Sequence, residues 1–404
     1  MYIVRNCEKT VEYMSERFPV VFVTGPRQVG KTTMLMKIAE KNRNYVTLDD
    51  PNARNMAINE PGLFLQRYEP PVIIEEIQYA PNLMQFIKLY VDENKKMGDI
   101  WMTGSQMFHL MKNVSESLAG RVGILRMQGF SGAELDGYDN EAFIMDSGKL
   151  ISKVKERTLK SLKEVYKMIY MGQMPGVYSR DISPNIFYGA YINTYIQRDI
   201  KELTQVADEM LFLQFLTACA ARTSQMLNLA DIARDIGISA PTAKQWLSIL
   251  ITSGIVILIE PYFNNRMKRI IKSPNLYFMD TGLCAYLTKW NNPESLETGN
   301  MSGAFFETFV VSEVIKSYQN LGLQAPICYY RDKDKREIDL IIEQNNTLYP
   351  IEIKKSASPK KEAIKHFQVL NKSDVNVGTG AVICMAKDLV PLDKDNWLVP
   401  VWLL

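Results

Sequence analysis

The sequence predicts an α/β protein with three successive domains. A turn with two glycines joins a short apolar strand at residues 20–23 to a helix at residues 34–40. Two helix patterns with a tight turn between them occupy residues 229–250, and a helix followed by two charged, alternating strands occupies residues 303–354. At 404 residues, 47% of them hydrophobic, the chain is long enough to bury several cores.

The composition narrows the possible chemistry and location. The 47 basic and 45 acidic side chains nearly cancel, so any surface that attracts nucleic acid has to be local. The five cysteines form no CxxC pair, which disfavours a disulfide framework or a thiolate zinc site. The chain has only two histidines, His109 and His366, which disfavours a histidine-based zinc site or a Ser-His-Asp triad. Any catalysis is therefore expected to depend on carboxylates, lysines and arginines. No run of about 18 apolar residues occurs, and we expect no membrane partner and a cytoplasmic protein.

The turn after the first strand has the spacing of a phosphate-binding loop. Residues 25–32, GPRQVGKT, fit the pattern G-x-x-x-x-G-K-[ST] between a strand and a helix. Glycines let backbone N–H groups turn inward around phosphate oxygens, and the helix N-terminus adds partial positive charge. We expect Lys31 to reach the β- and γ-phosphates, Thr32 to bind Mg²⁺ and Thr33 to face the α-phosphate. The predicted nucleotide-binding residues are Gly25, Pro26, Arg27, Gln28, Val29, Gly30, Lys31, Thr32 and Thr33.

Two acidic residues follow the next buried strand. The apolar run at residues 72–74 ends at Glu75 and Glu76, at the edge where α/β sheets place their ligands. We interpret Glu75 as a residue that holds Mg²⁺ and Glu76 as the residue that polarises the attacking water. An aspartate is usual at the first position, so the extra methylene of Glu75 is expected to shift the metal. The alternative is a solvated acidic pair.

A third apolar strand ends in the small polar residues Thr103, Gly104 and Ser105. Ser105 is placed to hydrogen-bond the attacking water. Arg121 follows a glycine in a predicted loop, where an arginine can act on the γ-phosphate of a neighbouring subunit. That role predicts a homo-oligomer, and the alternative is an ordinary surface arginine.

These segments together resemble one family. The chain is similar to the bacterial and archaeal AAA+ ATPases that carry a C-terminal domain of unknown function, in the segments GPRQVGKTT, VIIEEIQYAP, TGSQMFHLM, SLAGR, GQMPGVY and YINTYIQRDI. The resemblance implies an AAA+ core with a helical lid over residues 1–205, with ATP and Mg²⁺ as cofactors. Glu75 departs from the usual aspartate of that family, and Arg198 has no assigned role.

The middle of the chain, residues 206–290, has the spacing of a helix-turn-helix. A helix pattern at residues 229–236 ends at Gly237, and a second pattern follows with the apolar positions Ala243, Trp246, Leu247 and Leu250. A strand and a basic segment come next, and the whole resembles a winged helix. The residues predicted to contact double-stranded DNA are Thr242, Lys244, Gln245, Arg266, Lys268 and Arg269. Winged helices also dock proteins, so both kinds of partner stay open.

The last predicted domain, residues 291–404, gathers three acids and a lysine. A helix carries Glu307, one strand carries Asp339, and a second strand of the same hairpin carries Glu352 and Lys354. Strand residues two apart share a face, and a hairpin can set its two strands' side chains together. Such a group binds Mg²⁺ through the three carboxylates and supports phosphodiester cleavage with the lysine. The pattern resembles the restriction-endonuclease-like PD-(D/E)xK fold, which also includes members without known activity.

The combined motifs predict an ATP-binding and ATP-hydrolysing AAA+ protein that acts on or at DNA, with metal-dependent nuclease activity left open. The alternative is a nucleotide-gated signalling switch whose C-terminal domains bind a protein partner. Salt-dependent binding of duplex DNA would favour the first function, and capture of a protein without such binding would favour the second.

Overall fold

The computed structural model of the chain describes residues 2–105, 117–196, 209–262, 273–372 and 375–404. The predicted phosphate contacts Arg266, Lys268 and Arg269 lie outside these residues, as does Arg198. Two compact units can be distinguished in the chain. The predicted division into three domains, at residues 205 and 290, stays a prediction.

The first unit comprises Met1–Phe130 with Thr252–Gly254 and Gln319–Leu323. Its sheet consists of β1 (Val20–Thr24), β2 (Asn44–Thr47), β3 (Val72–Glu75), β4 (Ile100–Gly104) and β5 (Val122–Arg126). The strand order is β2-β3-β4-β1-β5, and all neighbours are parallel. Parallel sheets are covered on both faces, so their strands are nearly continuous apolar runs. The strands predicted at residues 20–23 and 72–74 are confirmed.

Helices of the first unit bury one face against this sheet. They are α1 (Glu8–Ser15), α2 (Lys31–Ile38), α3 (Pro51–Asn59), α4 (Pro61–Arg67) and α5 (Leu83–Asn94). In α5 the apolar residues Leu83, Ile87 and Val91 recur every four positions, and each is buried. They join Phe22 and Ile74 of the sheet in one core. This core fixes the strands whose C-terminal ends carry the predicted nucleotide-binding and acidic residues.

The second unit comprises Ser131–Ile251, Ile255–Tyr318 and Gln324–Leu404. Its first part is largely helical, with α6 (Gly132–Asp136), α7 (Ser147–Glu156), α8 (Leu162–Met171), α9 (Pro175–Ser179), α10 (Pro184–Tyr191) and α11 (Glu209–Ala220). A capping box between Ser161 and Glu164 begins α8. The two side chains satisfy each other's backbone N–H groups, which sets the start of that helix.

A helix, a tight turn and a second helix lie in the middle of the second unit. The first, α12 (Leu229–Ile236), ends at Gly237, whose φ of 79° favours glycine, and α13 (Ala240–Thr252) follows. The predicted apolar face of α13 is confirmed by the burial of Ala243, Trp246, Leu247 and Leu250. A three-stranded sheet accompanies the helices, in the order β6 (Gln225–Met226), β8 (Asn275–Phe278) and β7 (Val256–Ile259). The winged-helix assignment itself stays a prediction.

The C-terminal part of the second unit combines helices with a mixed sheet. The helices are α14 (Thr281–Leu287), α15 (Pro293–Thr298) and α16 (Ser302–Gln319). The strands are β9 (Ile327–Arg331), β10 (Glu337–Gln344), β11 (Thr347–Lys354), β12 (Asn376–Val377), β13 (Gly380–Cys384), β14 (Val390–Pro391) and β15 (Asn396–Pro400). Their order is β14-β15-β13-β11-β10-β9, with β12 beside β11.

Strand directions in this sheet follow from its turns. Neighbours are antiparallel from β9 to β11, and β13 is parallel to both β11 and β15. The predicted hairpin of β10 and β11 is confirmed, and Asn345 and Asn346 both have the positive φ that a two-residue type I′ turn requires. The restriction-endonuclease-like assignment stays a prediction.

Hydrogen bonds connect α16 with the three-stranded sheet. The hydroxyl oxygens of Thr308 on α16 and Thr223 lie 2.8 Å apart. Thr223 also accepts a hydrogen bond from the backbone N–H of Phe278 on β8, at 3.3 Å. All three residues are fully buried. The middle and C-terminal parts of the second unit therefore share one interior.

Two observations bear on the composition. All five cysteines are free and buried, so none of them forms a disulfide. Within the residues that the structure describes, no helix is both long and apolar enough to cross a membrane.

Candidate functional site

The turn between β1 and α2 is a tight loop that depends on two glycines. Gly25 has a φ of 146°, and a Cβ atom placed on it would lie 1.9 Å from the carbonyl oxygen of Met127. Gly30, immediately before α2, has a φ of 91°. Side chains are excluded at the first position by contact and disfavoured at the second by conformation, as the predicted phosphate-binding spacing requires.

Lys31 begins α2 and folds its ammonium group over the loop. The residue is only 6% exposed. Its Nζ donates hydrogen bonds to the carbonyl oxygens of Gly25 at 2.9 Å and Pro26 at 2.8 Å. The first N–H groups of α2 and the helix dipole add partial positive charge at the same place. Positive charge is thus concentrated where β1 ends, in an arrangement that suits phosphate oxygens.

Thr32 is hydrogen-bonded to the acidic residue at the end of β3. Its hydroxyl donates to Oε1 of Glu75, and the hydroxyl of Tyr45 donates to Oε2 of the same carboxylate. Burial and this hydrogen bond raise the pKa of Tyr45, so its hydroxyl stays protonated as a donor. Hydroxyl and carboxylate oxygens are the ligands that Mg²⁺ prefers. The donor set therefore fits this ion, and Thr32 and Glu75 would hold it.

Glu76 lies beside the residues that end β4. Its φ of 56° is in the left-handed region, and its N–H donates to the hydroxyl of Thr103 at 3.4 Å. The Gln78 amide donates to Oε2 of Glu76, and the Ser105 hydroxyl lies 3.4 Å from the same oxygen. A left-handed glutamate costs on the order of 1–3 kcal/mol and often marks a functional position. The structure thus brings together Glu76 and Ser105, both predicted as catalytic residues.

Sequence reasoning misses two residues of this site, Tyr45 and Gln78. Tyr45 lies on β2, two residues before Thr47, which is the register partner of Glu75. Because strand residues two apart share a face, this pairing carries Tyr45 toward the carboxylate, and local patterns do not show which strands pair. Gln78 offers a weak signal, since it lies just two positions beyond Glu76.

Arg121 lies away from the loop of its own chain. It directly precedes β5, and its backbone oxygen accepts from Val20 at the start of β1. Parallel strands begin at one edge of a sheet, whereas the loop follows the other end of β1. The guanidinium donates to the two carboxylate oxygens of Asp92 at 2.6 and 3.1 Å, and this hydrogen bonding lowers the pKa of Asp92.

The second predicted group, in the C-terminal part of the chain, is also brought together. Lys354 Nζ lies 2.6 Å from Oε1 of Glu352 and 3.6 Å from Oδ2 of Asp339. The hydroxyl of Tyr277 on β8 donates to Glu307 at 2.7 Å. Burial, and after it the charge of Asp339, raises the pKa of both Glu307 and Glu352 to about 8. The four predicted residues are therefore close enough to influence one another.

Asp339 occupies an irregular position in β10. The register with β9 shifts between Ile338 and Ile341, which places a β-bulge at this point. The carboxylate accepts a hydrogen bond from the backbone N–H of Ile353 on β11 at 2.8 Å. Bulges re-aim side chains. The bulge accounts for the orientation of the Asp339 carboxylate toward β11.

These carboxylates do not form a ready metal centre. In the described parts of the chain, no group of three or more histidine, cysteine, aspartate or glutamate side chains is arranged to hold a metal ion. The ammonium of Lys354 pairs with Asp339 and Glu352, and Tyr277 holds Glu307. The predicted metal ligation by Glu307, Asp339 and Glu352 therefore stays a prediction.

Helix α13 presents two of its three predicted DNA contacts to solvent. Lys244 and Gln245 are exposed. Thr242 is half-buried, and its hydroxyl shares a hydrogen bond of 2.7 Å with that of Ser239. Lys244 and Gln245 are therefore the predicted residues of this helix that a partner can reach.

Three parts of the chain match known families. Residues 17–135 match the family described as an AAA domain. Residues 162–294 match a domain of unknown function (DUF8612), and residues 302–404 match a domain of unknown function (DUF4143).

Individual proteins are similar over longer stretches. Over 345 residues the chain is 28% identical to the uncharacterized proteins Rv2008c of Mycobacterium tuberculosis and Mb2031c of Mycobacterium bovis, which covers 85% of this chain and 72% of each relative. The Walker-type ATPase of Pyrococcus abyssi is 13% identical with a TM-score of 0.44, over 70% of this chain and 94% of that one. AMPPCP-bound DnaA from Aquifex aeolicus is 14% identical with a TM-score of 0.30, over 60% and 84%.

The AAA match agrees with the geometry of the first unit. It spans all the strands from β1 to β5. It also includes the loop lysine Lys31 and the acidic pair Glu75 and Glu76. The chain therefore carries a P-loop ATPase domain of the AAA type, with a C-terminal domain of the DUF4143 family.

Proposed function

We propose that the chain binds ATP together with Mg²⁺ and hydrolyses it. The main support is the convergence of side chains at the C-terminal ends of β1 and β3, where Thr32 of the loop is hydrogen-bonded to Glu75. Lys31 precedes Thr32 and Glu76 follows Glu75, so a cation, a hydroxyl and two carboxylates meet there. Transfer of a phosphoryl group to water needs this combination of charge stabilisation and a base.

Each side chain has a separate task in this proposal. Lys31 and the N–H groups at the start of α2 neutralise charge on the β- and γ-phosphates. Thr32 and Glu75 would hold Mg²⁺, which supplies electrostatic stabilisation of the transferring group. Glu76 accepts a proton from the attacking water. The hydroxyl of Ser105 helps to hold the Glu76 carboxylate in place.

Phosphate release by the purified chain tests this function. We expect release that requires both ATP and Mg²⁺ and that ADP inhibits. A folded chain that neither binds nor hydrolyses ATP would end the proposal, whatever its other partners. The rival function, a nucleotide-gated signalling switch, has no comparable observation in its support.

Assembly into a homo-oligomer is part of the same proposal. Arg121 lies at the edge of the sheet where the parallel strands begin, away from the end of β1. It cannot serve the nucleotide of its own chain from there. A second copy that presents Arg121 to that nucleotide would complete the charge stabilisation.

We expect Arg121→Ala to lower ATP turnover about 1,000-fold or more without weakening ATP binding, because only the transition state needs the additional charge. Phosphate release and calorimetric titration measure the two quantities. Light scattering should show larger particles of the wild type with ATP than without it. In the matched control, Asp92→Ala, the ion pair is lost but Arg121 remains, and turnover should be retained. Equal losses in both variants would reduce Arg121 to a structural role.

A second proposed function is nucleic-acid binding by the C-terminal part of the chain. A groove of about 700 Å³ next to Glu352 and Lys354 supports it. Four lysines line this groove against two glutamates: Lys354, Lys355, Lys360 and Lys365 against Glu352 and Glu362. The chain as a whole is nearly neutral, so this local excess of positive charge suits a polyanion.

Lys354 lines the groove and also pairs with the carboxylates of Asp339 and Glu352. Lys354, Glu352, Lys360 and Lys365 all line the groove, so a phosphodiester lying in it would meet these side chains. The exposed Lys244 and Gln245 of α13 are proposed as a further contact with double-stranded DNA. Cleavage of the bound strand by the group around Lys354 is a separate proposal.

We expect the double variant Lys360→Ala, Lys365→Ala to bind DNA about ten-fold more weakly. The slope of log affinity against log salt should shrink by about one to two, since each lost phosphate contact contributes about 0.9. Fluorescence anisotropy with labelled duplex and single-stranded DNA at several salt concentrations measures both. Lys394→Ala is the control, because Lys394 is 88% exposed and does not line the groove.

Two results would redirect this proposal. Unchanged binding in the double variant, with a loss in Lys244→Ala, would move the DNA contact to α13. Absence of any binding at low salt would end it, and capture of a protein would then favour the signalling switch. The same DNA substrates with Mg²⁺ or Mn²⁺ test cleavage, and only cutting that Asp339→Asn abolishes would support a nuclease.

A further inference from the structure

Arg5 is a buried arginine that contacts the phosphate-binding loop from below. The residue is 3% exposed. Its Nη1 donates to the carbonyl oxygen of Val29 at 2.8 Å, inside the loop. Its Nη2 donates to the carbonyl oxygens of Gln128 at 2.8 Å and Gly129 at 3.3 Å. One guanidinium group therefore joins the loop to the segment that follows β5.

The chain around Arg5 is fixed on both sides. Glu8, at the start of α1, accepts hydrogen bonds through Oε1 from the Tyr2 hydroxyl at 2.6 Å and from the Arg5 N–H at 2.7 Å. Cys7 Sγ lies 3.4 Å from Met34 Sδ on α2, and both residues are fully buried. The N-terminal segment is thus anchored against the helix that begins with Lys31.

The segment after β5 forms the other wall of this contact. Met127 donates its N–H to the carbonyl oxygen of Thr24 at 2.8 Å. The Met127 carbonyl leaves no room for a side chain at Gly25. The loop is consequently held at its first glycine by Met127 and near its second glycine by Arg5.

Because a peptide bond is planar, the contact between Arg5 and the Val29 carbonyl also fixes the direction of the next N–H group, that of Gly30. In a trans peptide the C=O and the following N–H point in opposite directions. Holding the Val29 carbonyl toward Arg5 therefore turns the Gly30 N–H away from Arg5. We propose that Arg5 is a positioning residue, which fixes the Val29–Gly30 peptide so that its N–H faces the phosphates of a bound nucleotide. This inference rests on the proposed ATP binding.

Arginine is the side chain suited to this task. Its planar group carries five N–H donors in a rigid fork, whereas lysine offers a single compact ammonium. A lysine at position 5 keeps the charge but cannot bridge Val29 and Gln128 in the same fixed geometry. The charge-conserving variant Arg5→Lys therefore separates geometry from charge.

A matched arginine exists at the other end of the sheet. Arg43 has a side chain that is 3% exposed, and it donates to the carbonyl oxygens of Gly98 at 2.9 Å and Asp99 at 3.3 Å. It also lies over the ring of Trp101. Like Arg5, it bridges backbone carbonyls from a buried position, but these carbonyls precede β4 and lie far from the loop.

The test measures ATP affinity and thermal stability for the wild type, Arg5→Lys, Arg5→Met and Arg43→Lys. We expect both Arg5 variants to bind ATP about ten-fold more weakly or worse, since hydrogen bonds to charged groups are among the stronger ones in proteins. Arg43→Lys should lose comparable thermal stability yet keep wild-type affinity. Hydrogen exchange of the loop amides without nucleotide should rise in both Arg5 variants and not in Arg43→Lys. Arg5→Lys alone still gives this comparison if Arg5→Met fails to fold.

The outcomes are distinguishable. A wild type that binds ATP while Arg5→Lys binds equally well, with unchanged loop exchange, overturns the positioning role alone. Equal losses of affinity in Arg5→Lys and Arg43→Lys overturn it as well, because general destabilisation then explains both. A folded wild type that binds no ATP overturns the proposed function and this inference together.

Discussion

Lys31→Ala is expected to lose ATP affinity by about 100-fold or more, since a buried ammonium group makes charge-assisted contacts that are worth roughly twice a neutral hydrogen bond. In the structure this group is already directed over the loop by the carbonyl oxygens of Gly25 and Pro26. Little reorganisation is then needed to meet a phosphate. Calorimetric titration with a non-hydrolysable ATP analogue measures the loss.

Lys37→Ala is the matched control for this variant. It removes the same charge from the same helix, but Lys37 is exposed and lies in the last turn of α2. Its affinity for the analogue should equal that of the wild type. Thermal unfolding without nucleotide should show that Lys31→Ala is folded. Wild-type affinity in a folded Lys31→Ala protein would contradict the assignment of the loop.

Glu76→Gln should bind ATP normally and hydrolyse it about 100- to 10,000-fold more slowly, the range typical for loss of a general base. The amide has the same shape as the carboxylate but cannot take a proton from water. Because the position of the side chain is held by Ser105, Gln78 and a left-handed backbone, the substitution changes chemistry more than geometry. Steady-state phosphate release and analogue binding separate the two effects.

Glu75→Gln distinguishes the two acids. The substitution replaces the carboxylate that Thr32 contacts with a neutral amide, which should weaken Mg²⁺ binding. The loss of ATP turnover in this variant should therefore shrink as the Mg²⁺ concentration rises. The defect of Glu76→Gln should not respond to Mg²⁺. If Glu76→Gln turned over ATP at the wild-type rate while Glu75→Gln did not, the base would have to be Glu75.

The phosphate-binding loop could be predicted from the sequence because its information is contiguous. The strand, the two glycines, Lys31 and the helix follow one another within about 20 residues, and each is specified by a local rule. The hairpin of β10 and β11 is local in the same sense, since its two asparagines accept the left-handed conformation. Local rules place residues in order along the chain, and here that order already defines a site.

The supporting contacts could not be predicted, because they join distant segments. Arg5 meets carbonyl oxygens that are 24 and 123 residues away along the chain. Tyr45 reaches Glu75 only through the pairing of β2 with β3. No pattern in either segment indicates its partner, so tertiary packing decides these positions.

The C-terminal site shows the same limit in another form. Alternation along β11 predicts that Glu352 and Lys354 share a face, and they are in contact. The bulge at Asp339 breaks the alternation of β10 and is invisible in it. Likewise, no pattern in residues 356–365 indicates that Lys360 and Lys365 line a groove.

The hydrogen bond between Tyr277 and Glu307 limits how freely the two family segments can be exchanged during evolution. Tyr277 belongs to the segment that matches one family, residues 162–294, and Glu307 to the segment that matches another, residues 302–404. Exchange of either segment by recombination would remove this hydrogen bond if the new segment lacked the partner residue, a loss of about 1–3 kcal/mol. The two families are separable as sequence patterns, yet in this chain a side chain of one is hydrogen-bonded to a side chain of the other.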